Sequence, residues 1–418
     1  MRARGASRLA VSPTARGWQA LVIGVLVLFV ARMIGTTQFH QLGYTLLALP
    51  LAALILGWSS SRGLRFSRAL PSNARIKAGR PAMIRLLLVN RSRFGSSRLS
   101  VADRLPERRS FDVPSLQGFG ETAIEASLAF ARRGVYELGP AEVGVTDPFG
   151  LLRFVRRFEE RTEVVVYPEV HDLSGFPLGG GNVEVGARAS RGQHGDEFAN
   201  LREYRHGDDR RHIHWKSVAR TGELYVKEFA LEAPRRYTVA LDLRREGLRT
   251  AATEVEDAVS VAASVITRLA RENMPFRLVC ADGAGTATGF ASGEAAYWRA
   301  MRLLAMARAG GGLKLAEALL ADEGALGESA VLVSRTRDED LPGCVRKLRA
   351  AGLSVVVVAL ATHTYRAPPG TGGMAHSREA EFVRFVDRLE SAGAALRVVS
   401  HPSGVAGLSG GSRKRRAV

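Results

Sequence analysis

Residues 18–34 read Trp18-Gln-Ala-Leu-Val-Ile-Gly-Val-Leu-Val-Leu-Phe-Val-Ala-Arg-Met-Ile34, and residues 42–58 read Leu42-Gly-Tyr-Thr-Leu-Leu-Ala-Leu-Pro-Leu-Ala-Ala-Leu-Ile-Leu-Gly-Trp58. Each run is 17 residues long, at the short end of the roughly 17 to 25 that an α-helix needs to cross a bilayer. Gln19 and Arg32 interrupt the first; Gly43, Thr45, Pro50 and Gly57 punctuate the second. A short polar link, Gly35 to Gln41, joins them. Hydrocarbon offers no partner to a backbone amide, so the pattern predicts a two-helix transmembrane hairpin. A cleaved leader fits poorly, because no small-residue cleavage site follows the first run and a second apolar run arrives at once.

Outward from the hairpin, arginines set the orientation. Arg2, Arg4, Arg8 and Arg16 precede it, Arg62, Arg65 and Arg68 follow it, and only Arg32 borders the connecting link. The positive-inside rule then predicts a multi-pass protein of the cell (inner) membrane with both soluble parts in the cytoplasm. The net charge of +18 is mostly arginine, since the chain has only six lysines. Part of that excess lies in the terminal arms and beside the apolar runs, where anionic lipid attracts it. Membrane lipid is therefore the expected partner, and nucleic acid is not expected. Cys280 and Cys344 are too few for a disulfide framework and show neither CxxC nor Cys/His spacing for zinc.

The 418 residues suffice for the anchor and about two soluble domains. A basic arm (1–17) and the hairpin (18–61) lead into a region (62–172) of short β-like runs: Ala82 to Asn90, Leu99 to Leu105, Glu121 to Ala131, Gly134 to Leu138 and Glu163 to Tyr167. That spacing predicts a small β-sandwich. Asp147-Pro148-Phe149-Gly150 has the composition of a tight turn. Residues 173–233 hold a Gly-rich linker, Gly175 to Gly192, and an unusual cationic segment. From 234 to 402 apolar runs, among them Tyr237 to Leu243, Ala330 to Val333 and Leu353 to Leu360, alternate with helical patterns such as Glu254 to Arg271 and Glu379 to Ala392. This alternation predicts a parallel sheet with helices on both faces. Residues 403–418 read as a flexible basic tail ending in Arg413-Lys414-Arg415-Arg416.

The cationic segment runs Leu201-Arg-Glu-Tyr-Arg-His-Gly-Asp-Asp-Arg-Arg-His-Ile-His-Trp-Lys-Ser-Val-Ala-Arg-Thr-Gly-Glu-Leu-Tyr-Val-Lys-Glu-Phe229. It resembles the signature of the domain of unknown function 58 family through Arg202, Glu203, Tyr204, Gly207, Asp208, Asp209, Arg211, Ile213, His214, Trp215, Lys216, Ala219, Arg220, Val226, Lys227 and Glu228. Arg210 and His212 depart from the family pattern, which favours Pro and Arg there. Arg133-Gly134-Val135-Tyr136 and the Asp147 to Gly150 turn extend the resemblance. It implies a membrane hairpin, a β-rich region and a C-terminal von Willebrand factor A-like domain. The company it implies is a MoxR-type AAA ATPase and a transglutaminase-like membrane protein. The resemblance implies no reaction.

The residues of the segment admit three readings. Asp208 and Asp209 can cap a turn while Arg202, Arg211 and Arg220 bind carboxylates, with Trp215 packed beneath, as a latch or a docking surface. His206, His212 and His214 with Asp208 supply possible metal ligands, though Arg210, Arg211 and Lys216 oppose a cation. Gly207 with Arg211, Lys216 and Arg220 resembles an anion cradle, but no GxxxxGK[ST] loop occurs. No nucleophile elbow is present and no catalytic residue stands out.

Metal-binding von Willebrand A domains end their first strand in Asp-x-Ser-x-Ser, whose oxygens collect around Mg²⁺. Here the corresponding residues are Asp242, Arg244 and Glu246, and the later strand ends Ser334-Arg335 where an acid is common in that family. The expectation is no metal and no cofactor, with an ion pair of Arg244 to Glu246 or Asp242 as an internal substitute. The functional expectation is a non-enzymatic membrane adaptor or scaffold. The alternative is an enzyme or ligand sensor using the Gly207 to Arg220 segment. The fold expected is membrane-anchored α/β plus β: hairpin, small β-sandwich and C-terminal von Willebrand factor A-like sheet.

Overall fold

The computed structural model describes residues 7–70, 75–96, 98–105, 107–178, 198–205, 212–229, 235–245, 252–282, 284–321, 326–366 and 372–408. They fall into two compact units, Met1–Pro168 and Glu169–Val418.

In the first unit, β1 (Ser7–Pro13) leads into α1 (Ala15–Ile34), which turns through Gly35 into α2 (Thr37–Gly63). Both helices are long and apolar enough to cross a membrane. Thr14 caps α1, its hydroxyl accepting the Gly17 N–H at 3.1 Å. Gly35 closes it at a left-handed φ of 73°. Glycines bring the two helices together: a Cβ on Gly24 would lie 3.0 Å from Leu47 Cδ2, and one on Gly43 2.5 Å from Leu28 Cδ2. Small residues at such a contact let the two helix backbones approach closely.

The chain then forms β2 (Leu64–Ala69), β3 (Ile76–Lys77), β4 (Pro81–Asn90), β5 (Arg98–Leu105), β6 (Glu107–Val113), β7 (Glu121–Ala129), β8 (Gly134–Leu138), β9 (Ala141–Thr146), β10 (Leu152–Phe158) and β11 (Thr162–Tyr167). Three sheets result, ordered β1-β10-β9-β5-β6, β2-β4-β7 and β3-β11-β8. They share one core that includes Leu64, Ile84, Leu86, Leu99, Leu128, Val143, Phe154 and Val166. Strand alternation builds it: β4 turns Ile84, Leu86 and Leu88 inward and Met83 and Arg85 outward. A fully enclosed ion pair, Arg68 to Asp103 at 2.6 Å, ties β2 to β5.

The basic arm is not only an arm. Its residues 7–13 form an edge strand antiparallel to β10, with Leu9 opposite Arg156 and Val11 opposite Phe154. The open edge of β10 supplies the backbone partners that a short polar stretch lacks alone. The Thr14 N–H donates to the Leu151 carbonyl at 2.8 Å and its hydroxyl to the Gly150 carbonyl at 2.7 Å. The Asp147–Gly150 turn therefore sits at the start of α1. At the end of α2, Arg156 Nη1 donates to the carbonyls of Ser61, Arg62 and Leu64 at 3.0, 2.8 and 3.0 Å, where a helix presents acceptors and partial negative charge.

The second unit contains a two-stranded ribbon, β12 (Phe198–Glu203) with β13 (Tyr225–Phe229), and between them α3 (Trp215–Thr221). After it come β14 (Tyr237–Asp242), α4 (Ala252–Arg271), β15 (Phe276–Ala281), β16 (Thr286–Ala287), α5 (Gly293–Met306), α6 (Leu315–Ala321), β17 (Ser329–Ser334), α7 (Leu341–Ala350), β18 (Ser354–Leu360), α8 (Thr362–Arg366), α9 (Gly372–Ser391) and β19 (Ala395–Val399). The sheet order is β16-β15-β14-β17-β18-β19, parallel except for the edge strand β16. Every residue of β14, β15 and β17 is buried, as parallel strands covered on both faces must be. The chain reverses direction across the sheet at β14, between β15 and β17. The crevice at the carboxyl ends of β14 and β17 is the topological switch point of this fold.

The expected linker at 173–233 starts as packed structure. Leu173, Phe176 and Leu178 are buried, and Arg268 of α4 donates to the Leu173 carbonyl at 2.7 Å and also to that of Phe176. The Gly-rich residues 179–192 lie outside the described residues.

Candidate functional site

The signature segment is held at its base by apolar burial. Ile213 bridges to Val226 of β13, and both are nearly enclosed. The His214 N–H donates to the Tyr225 carbonyl at 2.8 Å and the Tyr204 N–H to the Leu224 carbonyl at 2.8 Å. His214 Nδ1 lies 2.7 Å from Ser217 Oγ, so this histidine is engaged in ordering the first turn of α3. Arg202 lies in β12, paired with Val226. Gly207, Asp208, Asp209 and Arg211 lie outside the described residues, as do His206 and Arg210.

Trp215 corrects an expectation. It does not pack beneath the segment: it opens α3 with 65% of its surface exposed. Lys216 and Arg220 on the same helix are exposed too. The reason is local. A seven-residue helix attached through Ile213 has, among the described residues, no second layer to cover a large ring.

The other chemistry-bearing cluster lies at the switch point. Asp242 Oδ1 accepts the Arg244 N–H at 3.0 Å, and Oδ2 accepts the N–H groups of Arg335 and Thr336 at 3.3 and 2.7 Å and the Thr336 hydroxyl at 2.5 Å. Arg335 follows β17 and is almost completely enclosed. Its Nη1 donates to Glu254 Oε1 at 2.7 Å, with neither side chain exposed, and its Nη2 donates to the Arg244 carbonyl. Glu254 sits in the first turn of α4, where the helix dipole also favours a carboxylate.

The ion pair at this corner is therefore Arg335 with Glu254. The expected pairing of Arg244 with Asp242 is not formed, because Asp242 takes the Arg244 backbone N–H instead; Glu246 lies outside the described residues. These side chains do not fit a divalent ion. A hard cation needs open carboxylate oxygens, whereas those of Asp242 already accept four donors and a guanidinium is locked alongside. Among the described residues no three His, Cys, Asp or Glu side chains converge as a metal site.

Elsewhere among the described residues, burial shifts several titratable groups. Burial, with Asp282 adding to it, pushes the Cys280 thiol up to about 12. Burial and Asp338 push Cys344 to about 11, the opposite of what a nucleophilic thiolate requires. Burial and a 2.6 Å bond to Asp257 hold Tyr365 far above the usual phenol range. Desolvation lowers His363, whose ring packs on Phe382.

Glu254 is the residue that sequence reading passed over, since it looked like an ordinary helix start. Its signal is topological: a carboxylate in the first turn of the helix after one parallel strand can meet an arginine just after the adjacent strand where those strands are neighbours.

The family described as "Protein of unknown function DUF58" matches residues 200–387, from the ribbon through most of α9. The uncharacterized protein YeaD of Bacillus subtilis (strain 168) is 25% identical over 275 residues, covering 60% of this chain and 66% of that protein. Among solved structures, the CARDB domain of the PF1109 protein from Pyrococcus furiosus, in complex with di-metal ions, is 15% identical with a TM-score of 0.20, covering 25% of this chain and 86% of that one. A GH20 exo β-N-acetylglucosaminidase from Vibrio harveyi is 10% identical with a TM-score of 0.21, covering 81% of this chain and 75% of that one. Likeness at that level carries no argument about the fold.

Proposed function

We propose that this chain is a non-enzymatic membrane adaptor, fixed in the cell membrane by α1 and α2 with its soluble parts in the cytoplasm, and that it presents the α3 segment to a protein partner. One observation carries this reading: the side chains with chemical potential at the switch point are locked among themselves, while Trp215 stands exposed beside Lys216 and Arg220. Exposed tryptophan flanked by cations is the composition of an interface hot spot, where one truncation costs about 2 kcal/mol or more. The sheet order with its antiparallel edge strand supports a von Willebrand factor A-like domain without the metal. The partner that the family resemblance suggests is a MoxR-type AAA ATPase, together with a transglutaminase-like membrane protein.

The test is co-purification of the full chain from detergent-solubilised membranes, followed by identification of bound proteins. Trp215→Ala should lower recovery of an ATPase by about tenfold or more, consistent with a hot-spot loss, while thermal unfolding stays unchanged. Undiminished recovery from a normally folded variant would overturn the proposal.

A further inference from the structure

Three stretches distant in sequence meet where the hairpin joins its β unit. A Cβ on Gly17 would lie 2.1 Å from the Leu151 carbonyl oxygen, and one on Gly57 2.0 Å from the Phe154 ring, so β10 is seated directly against both helices. The meeting point is level with Trp18 and Trp58, which are both more than half exposed or close to it at 59% and 50%. Tryptophans at matching ends of paired apolar helices mark the boundary between headgroups and acyl chains.

Charge at this junction is one-sided. Residues 7–18, 57–68 and 147–157 contain a single carboxylate, Asp147, and it is buried, accepting the N–H groups of Phe149 and Leu152. The same stretches contribute Arg8, Arg16, Arg62, Arg65, Arg153 and Arg156, besides Arg68 and Arg157, which pair with Asp103 and Glu159. Arg62 lies 4.9 Å over the Trp58 ring. Burial first, then the charges of Arg65 and Arg62, lower the pKa of Arg156: like charges crowd here, and no carboxylate among the described residues pairs with Arg62 or Arg65. Around them Phe149, Leu9 and Val11 stay exposed at 43%, 37% and 44%, an apolar fringe beside a cationic ring.

We infer that this junction is a collar for anionic phospholipid, in which Arg16, Arg62 and Arg65 hold headgroup phosphates while Phe149, Leu9 and Val11 enter the boundary of the acyl layer. The β unit then rests on the bilayer surface instead of hanging from a tether. The inference depends on the hairpin spanning the membrane, as proposed above.

The test uses the full chain in nanodiscs of phosphatidylcholine with or without phosphatidylglycerol, and native mass spectrometry of the lipids it retains after release. Wild type should retain phosphatidylglycerol over phosphatidylcholine, and Arg62→Gln with Arg65→Gln should reduce that preference by about thirtyfold, following the surface attraction of the two lost cations. Equal retention of both lipids by wild type, or an unchanged preference in the variant, overturns the collar. Inorganic phosphate added in detergent should give no thermal stabilisation; stabilisation equal to that by phosphatidylglycerol would assign the site to free phosphate. Phe149→Cys gives a second readout, since the buried thiols of Cys280 and Cys344 leave the new one to be labelled. A fluorophore there should be quenched by brominated phosphatidylglycerol, and absence of quenching also overturns the collar. Carbonate extraction separates the two failures: a chain washed off membranes refutes the anchor, whereas one that stays but shows no lipid preference refutes the collar alone.

Discussion

Among the described residues Arg335 is the largest of the fully buried side chains, and its surroundings say what keeps it there. Removing a guanidinium from water costs several kcal/mol, so it must be met by a carboxylate and by carbonyl acceptors. Glu254 at 2.7 Å and the Arg244 carbonyl fill that role, while Nε finds no partner. A buried pair of this kind adds little net stability, but losing one partner strands the other. Glu254→Gln leaves the guanidinium unpaired and is expected to cost about 3–5 kcal/mol, whereas Arg335→Met combined with Glu254→Leu should recover most of that loss. Thermal unfolding of the detergent-solubilised chain checks both variants. A Glu254→Gln chain as stable as wild type would show that the pair holds nothing in place.

At the scale of elements, β10 carries the junction. Gly17→Ala gains helix propensity of about 1 kcal/mol, but its Cβ meets the Leu151 carbonyl, backbone that is itself fixed by the Thr14 N–H. Overpacking of about 1–3 kcal/mol should win, giving a net loss. Gly24→Ala meets side-chain atoms and no outside backbone, Leu47 Cδ2 and Cγ at 3.0 and 3.2 Å and Leu46 Cβ at 3.3 Å, which can give by a few tenths of an ångström, and should cost less than Gly17→Ala. Thermal unfolding of the two variants side by side tests this, and the opposite ranking would show that β10 is not pressed against α1. The same element marks the limit of what sequence reveals. The hairpin and the buried parallel strands were legible because each depends on a local apolar run. β1 was not: Ser7–Pro13 looks like a basic arm, and its strand character exists only through a partner some 150 positions on, itself hidden by Arg153, Arg156 and Arg157. At the candidate sites Asp242 and Arg335 could be singled out by position, but their pairing arises from strand order. Trp215 was expected beneath a latch of arginines and carboxylates, while a short helix on a ribbon exposes it.

At the scale of the whole molecule, the strand before α1 shares a sheet with β10, β9, β5 and β6, all of which follow α2. A hairpin that crosses a bilayer twice returns the chain to the side it left, which is what the β1 to β10 pairing needs; a single crossing would tear it apart. In the proposed topology the arginine asymmetry is what assigns that side to the cytoplasm. Introduced cysteines test the two steps separately, because burial keeps Cys280 and Cys344 out of reach of reagents. Ser12→Cys on β1 and Ser67→Cys on β2 should react from the same face of sealed vesicles, and Gln38→Cys at the start of α2 from the other. Labelling of Ser12→Cys and Ser67→Cys from opposite faces would mean that β1 cannot pair with β10 in the membrane. All three reacting from one face would mean that the hairpin does not cross. If the first two react from outside intact cells, the same-side arrangement stands but the cytoplasmic orientation falls, and with it access to any ATP-driven partner.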